Sequence, residues 1–531
     1  MKSKLRKDSK QLGDCGNLSG AWCCEEFRTV NFGDDRLNLR FMKTAVMLAD
    51  QPPASINQAC LTWRDAKAAY RLFSNEKCTA DEIRRAHLDA TIERVAKHKL
   101  VLIIQDTTTF NFNNHSSTEG LGAIGQRASI RQQSQGLWMH TALAVVPHSS
   151  SSERDGIPLG IVHQKIWARS NKKKTRKSTG LPIEGKESYK WIESLEQTMA
   201  VMPLETEAIT VCDREGDIFE FLHFAQCTGA KFLVRNNANR KLWPNIRWNP
   251  QVDGRSGIKP GNTIRNYLEK QPCVKVLKVK VPRKAGLHPD RVATVEVRFG
   301  QVELDRPTWP AELTAITEPM DPVAVCAIWV KEINPPDEVI NPSAAQLVVQ
   351  RSKNPRRRKM AKGENPLAPL EWLLLTNVET KSVADVLERI SWYEQRWQIE
   401  SYHKVIKSGC TVERCRLQHA ERLEKYIALS CVVAWRIHWT SLVSRRTPEA
   451  SAEVILSKLE WQALYCKINK VNKPPSKPPS IYQANRWIAQ LGGFLARKSD
   501  GEPGTTTLWR GWQRLHDITE DWLLFGPNKC G

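Results

Sequence analysis

Past residue 98 the spacing of apolar residues changes from helical to continuous, and that change limits the folds open to the chain. KLVLIIQDTTTF (99–110) carries an aliphatic run, Val101 to Ile104, that ends in Asp106. WMHTALAVVP and IPLGIVHQKIW read as two further strands. EAITVCDREGDIFEFL reads as a buried strand ending at Asp213 and then a helix, and AKFLVRNN as another short strand. Strands this apolar need cover on both faces, so with helices between them they predict a mixed α/β sheet. From about 240 to 375 the pattern turns to period two, as in VKVLKVKV and VATVEVRF, which predicts a β-rich insertion ahead of a helix at 393–409.

The flanks read as helical. GDDRLNLRFMKTAVMLA (33–49) opens on acidic residues suited to a helix N-terminus, and DAKAAYRLFSN and ADEIRRAHLDATIERVAKH follow with helical spacing. Arg36, Arg40 and Lys43 fall at i, i+4 and i+7, a cationic stripe that is either solvated or meets phosphate. Near the other end, KINKVNKPPSKPPS (467–480) reads as a semi-rigid linker or an exposed loop, and QANRWIAQLGGF and LWRGWQRLHDITEDWLL as helices. The expected division is a helical N-terminal domain at 1–78, a catalytic domain at 79–447 and a helical C-terminal domain at 448–531.

At 531 residues the chain exceeds what one core serves. Its 79 Lys and Arg against 57 Asp and Glu leave a formal charge of +22, a surplus that repels itself unless a polyanion is present, so nucleic acid is the expected partner. LVLII and IALSCVVAW are short of a bilayer span, and MKSKLRKDSK has no apolar segment behind it, so neither membrane nor secretory signal is expected and the location is cytoplasmic. The 14 cysteines lack the paired spacing of zinc sites and read as free thiols. KKKTRK (172–177) and RSKNPRRRKMAKG (351–363) read as basic loops.

YEQRWQIESYHKVIKSG (393–409) reads as one uninterrupted helix. Tyr393, Arg396, Glu400, His403, Lys404 and Lys407 form a polar stripe on it, beside a wall of Trp392, Ile399, Tyr402 and Ile406. Taken alone, the stripe is a solvated face with a Glu400 to Lys404 pair. Asp106 and Asp213, taken singly, are turn or cap residues at strand ends. Together with Glu400 they make a set of hard oxygen ligands of the kind that suits Mg²⁺ or Mn²⁺.

IIQDTTTF, VCDREGD, EWLLLT and the spacing Y-x2-R-x3-E-x6-K (Tyr393, Arg396, Glu400, Lys407) resemble the DDE transposases of the insertion-sequence-four family, and GDDRLNLR, IAQLGGF and LWRGW extend the resemblance along the chain. The resemblance implies a ribonuclease H-like core interrupted by the β-rich insertion and flanked by helical domains. It implies Asp106, Asp213 and Glu400 as a catalytic triad holding two Mg²⁺ ions, with Mn²⁺ able to substitute. Tyr393, Arg396 and Lys407 would grip DNA phosphate, Trp372 would stack on a flipped base, and Arg235 would be a further DNA contact. Double-stranded DNA, as transposon ends and target, and a second copy of the chain are the implied partners, in cut-and-paste movement through a hairpin. Two ions about 3.5 to 4 Å apart align the nucleophile and stabilise the leaving oxygen, which is why carboxylates and cations share one rigid element. Asp213 and Glu400 stand 187 positions apart, a longer stretch than in the family pattern. A nuclease or resolvase without strand transfer, and an inactive DNA-binding regulator, are the alternatives.

Overall fold

The computed structural model describes residues 19–60, 62–115, 117–125, 134–147, 156–169, 181–243, 263–281, 290–307, 320–336, 369–497 and 500–525. Among the described residues, and short turns aside, four helices come first, α1 (Ser19–Glu26), α2 (Asp35–Asp50), α3 (Trp63–Ser74) and α4 (Ala80–Val95), followed by strands β1 (Leu100–Asn111), β2 (Gly122–Ile124), β3 (Ser134–Val146) and β4 (Ile157–Trp167). Next come α5 (Lys190–Val201), β5 (Glu207–Cys212), α6 (Phe219–Thr228), β6 (Lys231–Arg235) and α7 (Ile264–Glu269). β7 (Lys275–Val281), β8 (Arg291–Leu304), β9 (Val323–Glu332), β10 (Glu371–Thr376) and α8 (Val383–Glu394) follow. The chain then continues through α9 (Trp397–Lys404), α10 (Ala420–Arg446), α11 (Lys458–Asn469), α12 (Ile481–Leu491) and α13 (Thr505–Phe525). The fold is mixed α/β with a mixed sheet and helical flanks, as a ribonuclease H-like core requires.

The chain divides into two compact units. The first comprises Met1–Lys173, Glu196–Ala208 and Gln395–Gly531. Its strands centre on β3, which pairs antiparallel with β1 along one edge, from Leu102↔Val145 to Asn111↔Gly136, and with β4 and β2 along the other. Val101 and Ile103, Ala142 and Ala144, and Leu159 and Val162 close a core against Val95 at the end of α4. Asp34 caps α2 by accepting the N–H groups of Arg36 and Leu37, which accounts for the acidic residues at that helix start. α10 is long and apolar enough by composition to cross a membrane, yet 89% of its most apolar window is buried inside the protein, packed on α4 and β4. The IALSCVVAW segment is therefore the middle of a 27-residue core helix. A second cluster, built on Trp461, Leu464, Ile481, Ile488, Leu508 and Leu515, joins α11, α12 and α13, with capping boxes at Ser457/Glu460 and Ser480/Gln483.

The second unit comprises Lys174–Leu195 and Ile209–Glu394. β5 and β6 pair in parallel, and β6, β10, β9, β8 and β7 then follow antiparallel. The period-two strands expected at 240–375 are present as β7, β8 and β9, and they widen this same sheet through β10. Trp191, Phe219, Phe221, Phe232, Trp329, Leu373 and Leu375 form its core.

Two expectations need correction. β1 does not end at Asp106 but runs five residues further, because Thr107 to Asn111 continue the antiparallel ladder with β3. The helix expected to run unbroken through 393–409 stops at Glu394, resumes at Trp397 and finishes as a π-turn, Val405–Gly409. At the break the bonds tighten to i→i+3: Gln398 N–H donates to Gln395 O at 3.0 Å and Ile399 N–H to Arg396 O at 3.3 Å. The basic runs at 172–177 and 351–363 lie outside the described residues. The described cysteines are all free.

Candidate active site and nucleic-acid interface

In the first unit, β1 supplies Asp106 and α9 supplies Glu400. Asp106 lies opposite Thr141 on β3, its side chain 19% exposed, and Oδ1 accepts the Thr107 N–H at 2.7 Å. His403 Nδ1 stands 3.9 Å from Asp106 Oδ2. Glu400, 34% exposed, is held by Arg396 Nη2 at 2.5 Å, one turn back along the chain. Ile399, Tyr402 and Ile406 are fully buried, as a wall face should be.

The polar stripe is only partly open. His403 is buried, and burial, with the nearby charge of Lys407 adding, pushes its imidazole down to about 3, so it is neutral. Burial also lowers Lys407, against the opposing pull of Glu413 and Asp106. The π-turn explains the position of Lys407: Cys410 N–H reaches back five residues to Val405 O at 2.9 Å, so the regular helical register ends before 407. Lys404 alone of this trio is exposed.

In the second unit, Asp213 follows β5 and caps a 3-10 turn, Arg214–Gly216, by accepting the Glu215 N–H at 2.8 Å. Tyr393, expected on the open stripe, is buried, its ring 6.0 Å from that of Trp372 at 60°. Trp372 is half-buried on the face of β10 opposite the core residues Leu373 and Leu375. Arg235, at the end of β6, donates from Nη2 to Glu371 O at 2.9 Å.

Asp106, Asp213 and Glu400 offer oxygen-only carboxylates, each partly open to solvent, and this donor chemistry fits a hard divalent cation. Among the described residues no three His, Cys, Asp or Glu side chains are gathered into a ready-made metal cage.

On α2, Arg36 and Lys43 are exposed and Arg40 half-buried, while Leu37, Phe41, Ala45 and Leu48 are buried on the other side. A second basic face, beyond the expected one, lies on the next helix. On α3, Trp63 is 76% exposed and shares the solvent side with Arg64, Lys67, Tyr70 and Arg71, opposite buried Ala66, Ala69, Leu72 and Phe73. The spacing of Trp63, Lys67 and Arg71 at i, i+4 and i+8 was the available signal. Two aromatics among three cations present both stacking surface and charge to a polyanion.

Residues 19–78 match the family model for transposase DNA-binding, which takes in both of these helices, and residues 432–522 match the model for the transposase Tn5 dimerisation domain. These matches support a DNA transposase. They also support a DNA partner for the N-terminal segment and a second copy of the chain for the C-terminal one.

Proposed function

We propose that the protein is a DDE transposase of the insertion-sequence-four family. It binds the ends of a mobile DNA segment, hydrolyses phosphodiester bonds there and transfers the freed strands to new DNA, in a cut-and-paste course through a hairpin. The observation that carries this reading is the pair of family matches, DNA-binding at 19–78 and Tn5-type dimerisation at 432–522, either side of a mixed α/β core.

Within that reading, Asp106, Asp213 and Glu400 hold Mg²⁺, with Mn²⁺ able to substitute. Two bound ions supply Lewis acidity, lowering the barrier to attack and neutralising charge on the leaving oxygen. Arg396 and Lys407 hold DNA phosphate beside Glu400, and Tyr393 and Arg235 add contacts from the second unit. Trp372 receives a base that leaves the stack during hairpin formation. The α2 and α3 faces grip the end sequence, and the C-terminal helices pair two copies so that two ends are processed together.

Incubation of the purified protein with end-containing duplex and Mg²⁺ tests the reading. Nicks at the transposon boundary followed by hairpins, and strand-transfer products when target DNA is added, are expected. Nicking with neither hairpins nor transfer products would reduce the protein to a nuclease.

A further inference from the structure

The geometry points to Asp217 as a positioning residue for Asp213, a role that rests on the proposed reading of Asp213 as a metal ligand. The two residues bracket one turn. Asp213 opens it, accepting the Glu215 N–H on its side chain and the Gly216 N–H on its carbonyl, at 2.8 and 3.1 Å. Asp217 closes it by donating its N–H to Arg214 O at 3.3 Å.

The Asp217 carboxylate does not point to solvent; its side chain has 0% exposure. It reaches the loop that follows β6. Oδ2 accepts Asn236 Nδ2 at 3.0 Å, Asn237 N–H at 2.7 Å and Ala238 N–H at 3.3 Å. Oδ1 accepts Arg240 Nε at 2.9 Å and Nη2 at 2.6 Å, and the same Nη2 donates to Asp217 O at 2.8 Å. A buried carboxylate is tolerated only when its lone pairs are satisfied and its charge is matched, and here both conditions hold.

β5 and β6 run parallel, so the turn after one and the loop after the other leave the sheet at the same edge. Asp217 ties these two exits together. From below, Gly216 presses the turn onto β5: a Cβ there would stand 2.5 Å from Cys212 Cβ. The backbone that carries Asp213 is thus held by β5 at one point and by the β6 loop at another. Its carboxylate keeps a fixed direction, a property a metal ligand needs.

The test measures Mn²⁺ affinity of the full-length chain in complex with end duplex, by electron paramagnetic resonance, for wild type, Asp213→Ala, Asp217→Asn and Arg240→Gln. Asn at 217 keeps the size but removes the charge and turns one acceptor into a donor facing N–H groups. Loss of Mn²⁺ affinity by about 10- to 100-fold in Asp217→Asn, with a smaller loss in Arg240→Gln, is expected, while metal-free end binding stays within about twofold. Folded variants that bind Mn²⁺ as wild type does, beside an Asp213→Ala that does not, would overturn the positioning role alone. An Asp213→Ala that binds Mn²⁺ normally would remove the metal reading and the positioning role with it. If Asp217→Asn fails to fold, Arg240→Gln carries the test, and failure of both to fold would make the clamp a folding element and overturn the proposal.

Discussion

A carboxylate that is to hold a divalent cation cannot stay neutralised by a guanidinium, and Glu400 is paired with Arg396. The conflict is small, because Glu400 is a third exposed and such pairs contribute at most about 1 kcal/mol. A cation and a DNA phosphate can therefore divide the pair between them. Glu400→Ala should lower cleavage by more than about 100-fold, since even residues behind the ligands cost 10- to 100-fold, and end binding measured by gel shift should persist. Lys407→Ala removes a cation that lies close enough to feel Asp106 and Glu413. It should weaken the end complex by about 1.5 to 3 kcal/mol, read from dissociation rates, while Mn²⁺ affinity changes little. Trp372 turns away from Leu373 and Leu375, so its loss leaves the second unit's core cluster intact. Trp372→Ala should spare the first nick and slow the hairpin step by an amount equivalent to about 1 to 3 kcal/mol, resolved by following both products in one time course.

Among the elements, α3 makes the sharpest prediction. If this face grips the end as proposed, Lys67→Ala and Arg71→Ala should each reduce the slope of log affinity against log salt by about one unit, the amount for one phosphate contact, whereas Trp63→Ala should weaken binding without altering the slope. The cationic spacing that marks α2 recurs on α3 as Lys67 and Arg71, one turn apart, so that face is equally legible in the sequence. The strands were legible because continuous aliphatic runs have few other uses, and the helical flanks because caps and period agree. Less legible was the segment around Glu400. No Pro or Gly marks the break at 395–396, since burial of Gln395 and of Gln398, whose Nε2 donates to Gly156 O at 3.1 Å, sets it through a residue 242 positions away. The burial of His403 and Tyr393 likewise depends on neighbours that helical spacing does not reveal. The extent of β1 past Asp106 depends on its partner β3, and a polar TTT run by itself gives no sign of pairing.

For the whole molecule, a charge of +22 predicts end binding that weakens steeply and linearly on a log-log salt plot, and a flat plot would remove the electrostatic reading. Acid should act on stability through histidines buried without charge. His438 is pushed down to about 4 by burial, chiefly, and by Arg445. The imidazole of an unfolded chain titrates near 6.5, so between these values unfolding takes up a proton and stability falls as pH falls. From pH 6.5 to 5 this one residue costs about 1.5 kcal/mol, and His87 is shifted in the same direction. The melting midpoint should drop over that window, and less so in His438→Leu. Leu524 and Phe525, 64% and 78% exposed at the end of α13, offer apolar surface just past the segment, 432–522, similar to a dimerisation domain. Phe525→Glu should lower the dimer fraction in light scattering of the DNA complex, since burying such a side chain contributes about 1.5 to 3 kcal/mol. The first unit is also completed out of order. α10, which covers β4 and α4, leaves the ribosome about 250 residues after β4 does. At roughly 5 to 20 residues per second the nascent sheet waits on the order of 10 to 50 s with an apolar face bare. During that interval the growing chain presents the kind of apolar surface that chaperones bind, and the pace of translation through residues 168–419 sets how long the exposure lasts.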